Sequence, residues 1–285
     1  MKTLILLLTL ILANAFPAQS LAQSPGGEPA GLVVDLQGKA NVIEQGRTTR
    51  LEMLSYIRPQ TEIEIGPGAA LAVTWYADSS EHRFKGPARL KVSRDRIQVV
   101  QGAPGQERAL GEEKVSAAKR GVSTRLAQAA LTMRSIRAAA DITPVGGSRV
   151  MTLRPQFRWT SDHRSDSYRF TLRDALGEPL VQMTVNGESL KLSDSIVLEW
   201  GKRYRWTVQD ARGGSVVEGD FEVITREQVA QLGKLRPGAK ASFSDRVLYA
   251  AALDDLALKA EARELWRKLA AERPDDAVLR RFAER

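Results

Sequence analysis

The sequence GPGAALAVTWYADSSEHRFKGPARLKV, residues 66–92, decides the fold of the first part of the chain. Side chains of a β-strand point alternately to its two faces, so a polarity period of two marks a strand. One face of a predicted strand here collects Leu71, Val73 and Trp75, and the other collects Ala72, Thr74 and Tyr76. A polar turn at residues 77–80 ends this strand, and Gly86-Pro87 breaks the next one. Similar short segments fill residues 31–102, which predicts an all-β domain of the sandwich or barrel kind.

The order of apolar and turn positions over residues 31–102 resembles the FecR-like domain. The likeness lies in an early glycine, an isoleucine strand with a Gly/Ala step, a hydrophobic strand ending in an Asp/Ser turn, and a last leucine/valine strand. These positions are Gly38, Ile63, Ile65, Gly66, Gly68, Ala69, Ala70, residues 71–80, Gly86, Ala88, Leu90 and Val92. The resemblance implies a periplasmic β domain. Regulators of this family also carry a cytoplasmic tail and a membrane span, and we expect neither here, because almost nothing precedes the first apolar segment.

Residues 1–22 have the pattern of a cleavable signal peptide. A short basic start precedes an apolar core at residues 4–13, and Ser20-Leu21-Ala22 offers small residues for cleavage before Gln23. The apolar core is shorter than a membrane span requires. The sequence contains no cysteine, which favours a bacterial periplasmic protein without disulfides or a lipid-modified cysteine.

The net charge of the chain indicates which kinds of partner it attracts. The formal net charge is +8, spread along the whole sequence, and it favours weak attraction to anionic envelope surfaces. No basic run interleaved with aromatic residues occurs, so we expect no nucleic-acid partner. The proline- and glycine-rich residues 23–30 predict a flexible tether.

Residues 103–144 are predicted to be a linker that contains a helix. Apolar residues at helical spacing predict that helix over residues 123–139, and residues 105–121 are predicted to be a poorly ordered linker. The helix fits either a connector packed on a neighbouring domain, which we favour, or a surface that binds a partner or a membrane.

Residues 145–225 contain about seven short alternating segments, which is the strand count of an immunoglobulin-like sandwich. Turn residues separate them, among them Asn186-Gly187. The pattern resembles a fibronectin type III-like domain. The matching positions are Pro155, Phe157, Trp159, Tyr168, Phe170, Leu172, Gly201, Tyr204, Trp206, Val208, Phe221 and Val223. We expect Trp159 and Trp206 to be core residues rather than ligand-stacking residues.

Residues 226–285 change to a helical period and predict four helices. Arg236-Pro237-Gly238 stops the first helix, and Ser242 or Ser244 caps the second. The helix pair that follows resembles a tetratricopeptide repeat at Tyr249, Ala250, Leu253, Ala262 and Pro274. A single unit cannot bury its faces alone, so this tail should pack on the second β domain or on another chain. The resemblance implies either protein binding or a capping role.

The sequence predicts no catalytic, cofactor-binding or metal site. Residues 161–166 (SDHRSD) contain the three residue types of a hydrolase triad, serine, histidine and aspartate. The side chains of neighbours in one loop seldom converge in space as those of a triad must. His82 is placed on a strand, and the chain has no paired histidines and no calcium-loop pattern.

The sequence thus predicts a mainly β, multidomain protein: a FecR-like all-β domain, an immunoglobulin/fibronectin III-like sandwich and a C-terminal α-helical, tetratricopeptide-like segment. We expect a non-enzymatic periplasmic binding or scaffold protein that recognises a protein partner or a cell-envelope polymer. A periplasmic regulator of transmembrane signalling is the alternative, and a polysaccharide-acting enzyme is a third hypothesis. The candidate partner-binding residues are Tyr76, His82, Arg246 and Tyr249. We expect no transmembrane segment in the mature chain, and the sequence leaves the oligomeric state open.

Overall fold

The structure, a computed structural model, describes residues 28–129, 142–161 and 165–284. It is mainly β with several sheets and a helical C-terminal segment, which confirms the predicted fold class. The strands of the first part are β1 (Gly31–Gln37), β2 (Ala40–Glu44), β3 (Arg47–Arg50), β4 (Tyr56–Ile57), β5 (Glu62–Ile65), β6 (Ala70–Trp75), β7 (Ser80–Lys85), β8 (Ala88–Val92), β9 (Ile97–Gln101) and β10 (Gln106–Ala109). They form two antiparallel sheets, which we call sheet 1, in the order β10-β7-β6-β1-β4, and sheet 2, in the order β3-β2-β5-β8-β9.

Sheet 1 is covered on both faces. Leu71, Val73 and Trp75 of β6 lie in the apolar core between the two sheets. Ala72 points the other way and belongs to a second core, which sheet 1 shares with the helices. The alternation predicted for this strand is confirmed, but it does not separate a buried face from a solvated one, because both faces are buried.

The segment after sheet 2 differs from its prediction as a linker. It begins with β10, which pairs with β7. Helix α1 then spans Glu112–Ala129, so it starts eleven residues before the predicted start at Ser123. Its early residues Val115, Ala117 and Ala118 are buried, and their small size explains why the sequence shows little apolar signal there. Residues 130–139 of the predicted helix lie outside the described residues.

The second β domain holds β11 (Ser148–Val150), β12 (Gln156–Arg158), β13 (Tyr168–Arg173), β14 (Pro179–Val185), β15 (Ser189–Lys191), β16 (Arg203–Asp210) and β17 (Ser215–Val223). Five strands form a sheet in the order β11-β17-β16-β13-β14, and β12 pairs with β15. Trp159 and Trp206 are 1% and 0% exposed, and their rings pack in a cluster with Phe157 and Phe170. The prediction that both tryptophans are core residues is confirmed.

The tail contains four helices: α2 (Arg226–Leu235), α3 (Phe243–Asp255), α4 (Lys259–Glu272) and α5 (Ala277–Ala283). Thr225 and Gln228 form a capping box on α2, and Ser242 caps α3 by accepting a hydrogen bond from the Asp245 backbone. No helix in the described ranges combines the length and apolar character that crossing a membrane requires.

The tail packs mainly on the first domain, and not on the second as expected. Leu32 and Val34 of β1 share one core with α1, α3 and α4. The second domain adds smaller contacts, including a hydrogen bond of 2.9 Å from the Arg149 backbone to the Ala257 carbonyl. The first domain is therefore three layers deep: sheet 2, sheet 1 and helices.

Candidate functional site

The outer face of sheet 2 carries one polar side chain from each of its five strands, in register. We call this set the polar row, and it consists of Arg50, Asn41, Glu64, Arg89 and Gln101. The apolar residues that alternate with its members, such as Ile63 and Leu90, face the core and are fully buried. The period of two aims Asn41, Glu64 and Arg89 away from the core. A register shift between Arg89 and Leu90 places the exposed Gln101 opposite Arg89, and the exposed Arg50 lies opposite Asn41.

A groove of about 280 Å³ lies along the polar row. It is lined by Lys39, Asn41, Glu64, Ile65, Gly66, Pro87, Ala88, Arg89 and Gln101. Two loops meet at its end, where a Cβ on Gly86 would lie only 1.9 Å from the Gly66 carbonyl oxygen. The close approach of these backbones needs glycine at position 86.

The groove offers several kinds of hydrogen-bonding group. Arg89 donates to Glu64 across the strands, and this exposed pair occupies the middle of the row. The side-chain amides of Asn41 and Gln101 flank the pair, and each amide can both donate and accept hydrogen bonds. Lys39 adds an ammonium group at the rim.

A buried ionic network joins α3 to the face of sheet 1 that packs against the helices. Glu81 is fully buried and accepts hydrogen bonds from Arg83 Nε at 2.6 Å, Arg108 Nη2 at 2.8 Å and Ser244 Oγ at 2.5 Å. A buried carboxylate with three donors is well compensated. Because Ser244 belongs to α3, this network fixes the tail on the sheet.

Asp245 completes the network. Arg108 donates to both of its carboxylate oxygens, at 3.0 and 3.1 Å, and Lys114 donates at 2.6 Å. Burial raises the pKa of Asp245, but the hydrogen bonds from Arg108, Lys114 and Ser242 outweigh it and hold that pKa well below its usual range. All of these groups bind one another within the chain. We therefore interpret the network as the contact that holds the tail on sheet 1, and not as a site for a ligand.

The predicted residue His82 lies in a second polar cluster, at the edge of sheet 1. Its Nε2 is 3.1 Å from Asp78 Oδ2 and 2.7 Å from Ser80 Oγ, and Glu107 lies opposite it on β10. In a catalytic triad the acid and the serine engage different ring nitrogens, whereas Asp78 and Ser80 approach the same one. The trio is therefore not arranged as a hydrolase triad. In the loop at residues 161–166, which we do not expect to form a triad, residues 162–164 lie outside the described residues.

The other predicted partner-binding residues make internal contacts. Tyr76 lies under α1, where its hydroxyl donates to the Ala118 carbonyl at 3.4 Å, and burial raises its pKa. Tyr249 is only 9% exposed and belongs to the core that the tail shares with sheet 1. Arg246 pairs with Glu272 and lies over the ring of Phe243. Of the four predicted residues, His82 is the one whose cluster brings two exposed carboxylates, those of Asp78 and Glu107, close to it.

No protein-family model matches this chain, and no curated protein is significantly similar to it. We therefore use the geometry of the polar clusters to decide which of them is the candidate functional site.

Two sets of polar residues could not be found from the sequence alone. The polar row consists of the positions that alternate with core residues, and it becomes visible only when the strand register is known. Glu107 falls in the predicted linker, because the four residues of β10 carry no apolar alternation. A polar segment of this kind gives no strand signal in one sequence.

Proposed function

We propose that this chain is a non-enzymatic periplasmic binding protein that holds a cell-envelope polymer on the polar row of sheet 2. The signal-peptide pattern, the cysteine-free sequence and the FecR-like resemblance support the compartment. The net charge of +8 supports attraction to the anionic surfaces of an envelope.

The observation that carries the proposal is the polar row with its groove. Five strands spaced about 4.8 Å apart give a row about 19 Å long, which suits an extended chain better than a compact small molecule. Amide, carboxylate, guanidinium and ammonium groups occur together along it. This mixture complements a polymer with hydroxyl, amide and carboxylate groups, such as the glycan and peptide parts of a cell wall.

Two other ligand classes fit the row less well. A single-stranded nucleic acid needs a positive channel with aromatic stacking groups, whereas the row has no aromatic residue and has Glu64 near its centre. A protein interface usually has an apolar or aromatic centre that excludes water, and here the centre is the exposed Arg89–Glu64 pair.

The test is co-sedimentation of the purified chain with insoluble peptidoglycan. We expect the wild-type chain to pellet with it. The double variant Asn41→Ala/Gln101→Ala changes no charge and removes two hydrogen-bonding groups worth roughly 0.5–1.5 kcal/mol each, so its affinity should fall about fivefold or more. Gln182→Ala, which removes an exposed amide on β14 of the second domain, is the matched control and should bind as the wild type does.

Two results would overturn the proposal. One is a chain that stays in the supernatant with peptidoglycan at low salt. The other is binding that the double variant and the control share equally and that disappears at high salt, because it would show general attraction to a basic surface.

A further inference from the structure

Three side chains at the edge of sheet 1 bring atoms that can bind a metal close together. Asp78 and Glu107 each offer a carboxylate oxygen and His82 offers a ring nitrogen, and the three atoms all lie within 4.8 Å of one another. Asp78 belongs to the turn before β7, His82 to β7, and Glu107 to the paired position on β10. The antiparallel register thus brings together residues that are up to 29 positions apart, since 107 − 78 = 29.

The turn holds the Asp78 carboxylate in place. Its Oδ1 accepts hydrogen bonds from the Ser80 backbone at 3.0 Å and from Ser80 Oγ at 2.5 Å. Its Oδ2 is left facing His82 Nε2 at 3.1 Å. Outer hydrogen bonds of this kind orient metal ligands in known sites.

The imidazole is also held. The His82 ring stacks on Phe84 with a centroid separation of 6.3 Å and an interplanar angle of 8°, and its side chain is 17% exposed. Because the ring is already held in place, binding a metal ion through its nitrogen would cost little further side-chain freedom. The nearby cations Arg83 and Arg108 bind Glu81 in the buried network, so they are committed elsewhere.

The spacing suits a metal ion. Tetrahedral zinc, with bonds of about 2.0–2.2 Å, places its ligand atoms roughly 3.4 Å apart, and the Asp78–His82 separation of 3.1 Å is already close to this. We propose that Asp78, His82 and Glu107 form a binding site for a divalent transition-metal ion of the zinc class. The imidazole ligand selects zinc, cobalt, nickel or copper over calcium and magnesium, which prefer oxygen ligands alone. Three protein ligands leave a position for water or for a donor from a partner.

The site is independent of the polar row, which lies on sheet 2. It is tested by titrating Zn²⁺ and Co²⁺ into the purified, untagged chain by calorimetry, with the visible absorption of Co²⁺ as a second signal. We expect one ion per chain, undisturbed by excess Mg²⁺. Loss of an outer-sphere partner costs known metal sites roughly 10–100-fold in affinity, so loss of a direct ligand in His82→Ala or Glu107→Gln should weaken binding at least tenfold.

The second histidine provides a matched control. The chain has two histidines, His82 and His163, and His163→Ala should leave the affinity unchanged. Glu107 is exposed, so Glu107→Gln should stay folded and keep the test valid if His82→Ala does not. Absence of Zn²⁺ binding to the wild type, an equal loss in His163→Ala, or unchanged binding in Glu107→Gln would each overturn the proposal.

Discussion

The strongest prediction concerns Asp245→Asn, which removes one charge from the network that holds the tail on sheet 1. The substitution keeps the shape of the side chain and keeps an acceptor oxygen. It withdraws the negative charge from Arg108 and Lys114, which make three hydrogen bonds to the carboxylate of 2.6 to 3.1 Å. We expect the helices to detach from the sheet more easily, while the second β domain stays unchanged.

The size of the effect follows from the geometry. A hydrogen bond to a charged group contributes roughly 1.5–3 kcal/mol, and removing one partner of a buried pair costs about 3–5 kcal/mol. The Asp245 side chain is 9% exposed, but Arg108 and Lys114 are 41% and 28% exposed and regain water when their partner is lost. We therefore expect a loss of about 2–3 kcal/mol in the free energy of opening α3.

The assay is native-state hydrogen exchange of the amides of α1 and α3, compared with Glu272→Gln. That control also removes an acid paired with an arginine in the tail, but the Arg246–Glu272 pair is more exposed, so its loss should cost about 0–1 kcal/mol. Equal effects of the two substitutions, or a change below about 0.5 kcal/mol in Asp245→Asn, would refute the docking role of the network.

The same variant fixes the sign of the pH dependence. The folded-state pKa of Asp245 lies below its unfolded value of about 3.9, so its contribution to stability is present above that pH and is lost as the pH falls. The difference between wild type and Asp245→Asn should be constant near neutral pH and shrink steadily below about pH 4. A difference that grew on acidification would contradict the assignment of Arg108 and Lys114 as its partners.

Three further substitutions test the packing. Tyr249→Ala should cost about 3 kcal/mol in urea unfolding, because its side chain fills the core between the tail and sheet 1, and it should leave peptidoglycan binding per folded chain intact. Gly86→Ala should cost about 3 kcal/mol in thermal unfolding, because the new Cβ would overlap the Gly66 carbonyl, whereas Gly233→Ala, in a helix with open space around it, should be neutral or stabilising. Thr225→Ala removes half of the capping box on α2 and should cost about 1 kcal/mol, measured as faster hydrogen exchange in that helix alone.

The sequence predicts local structure well where one physical signal dominates. The alternation in β6 and the bounds of α2 both follow from period and punctuation, and the Ser242 cap follows from helix-start chemistry. The position of the tail could not be predicted in the same way, because Arg108 contacts Asp245 across 137 positions. Pairing over such a distance depends on the tertiary fold, which leaves no periodic trace in a single sequence.

The candidate sites show a related difficulty. The tetratricopeptide-like positions that pointed to Tyr249 are apolar positions of a helix pair, and in this chain they fill the core. The sequence places His82 on a strand as a surface or half-buried residue, whereas the strand pairing brings Glu107 of β10 beside it. The polar row was missed because each of its members looks like an ordinary solvated strand residue until all five strands are aligned.

The two buried faces of sheet 1 explain why this tail stays with the first domain. If residues 31–102 stood alone, Leu32, Val34 and Ala72 would form an exposed apolar patch on the central strands, and such patches favour association. Helices α1 and α3 cover that patch, and the ionic network at its margin fixes their position through side chains that apolar packing alone would not orient. The tail is thus the third layer of the first domain, on the face of sheet 1 that points away from sheet 2 and its polar row.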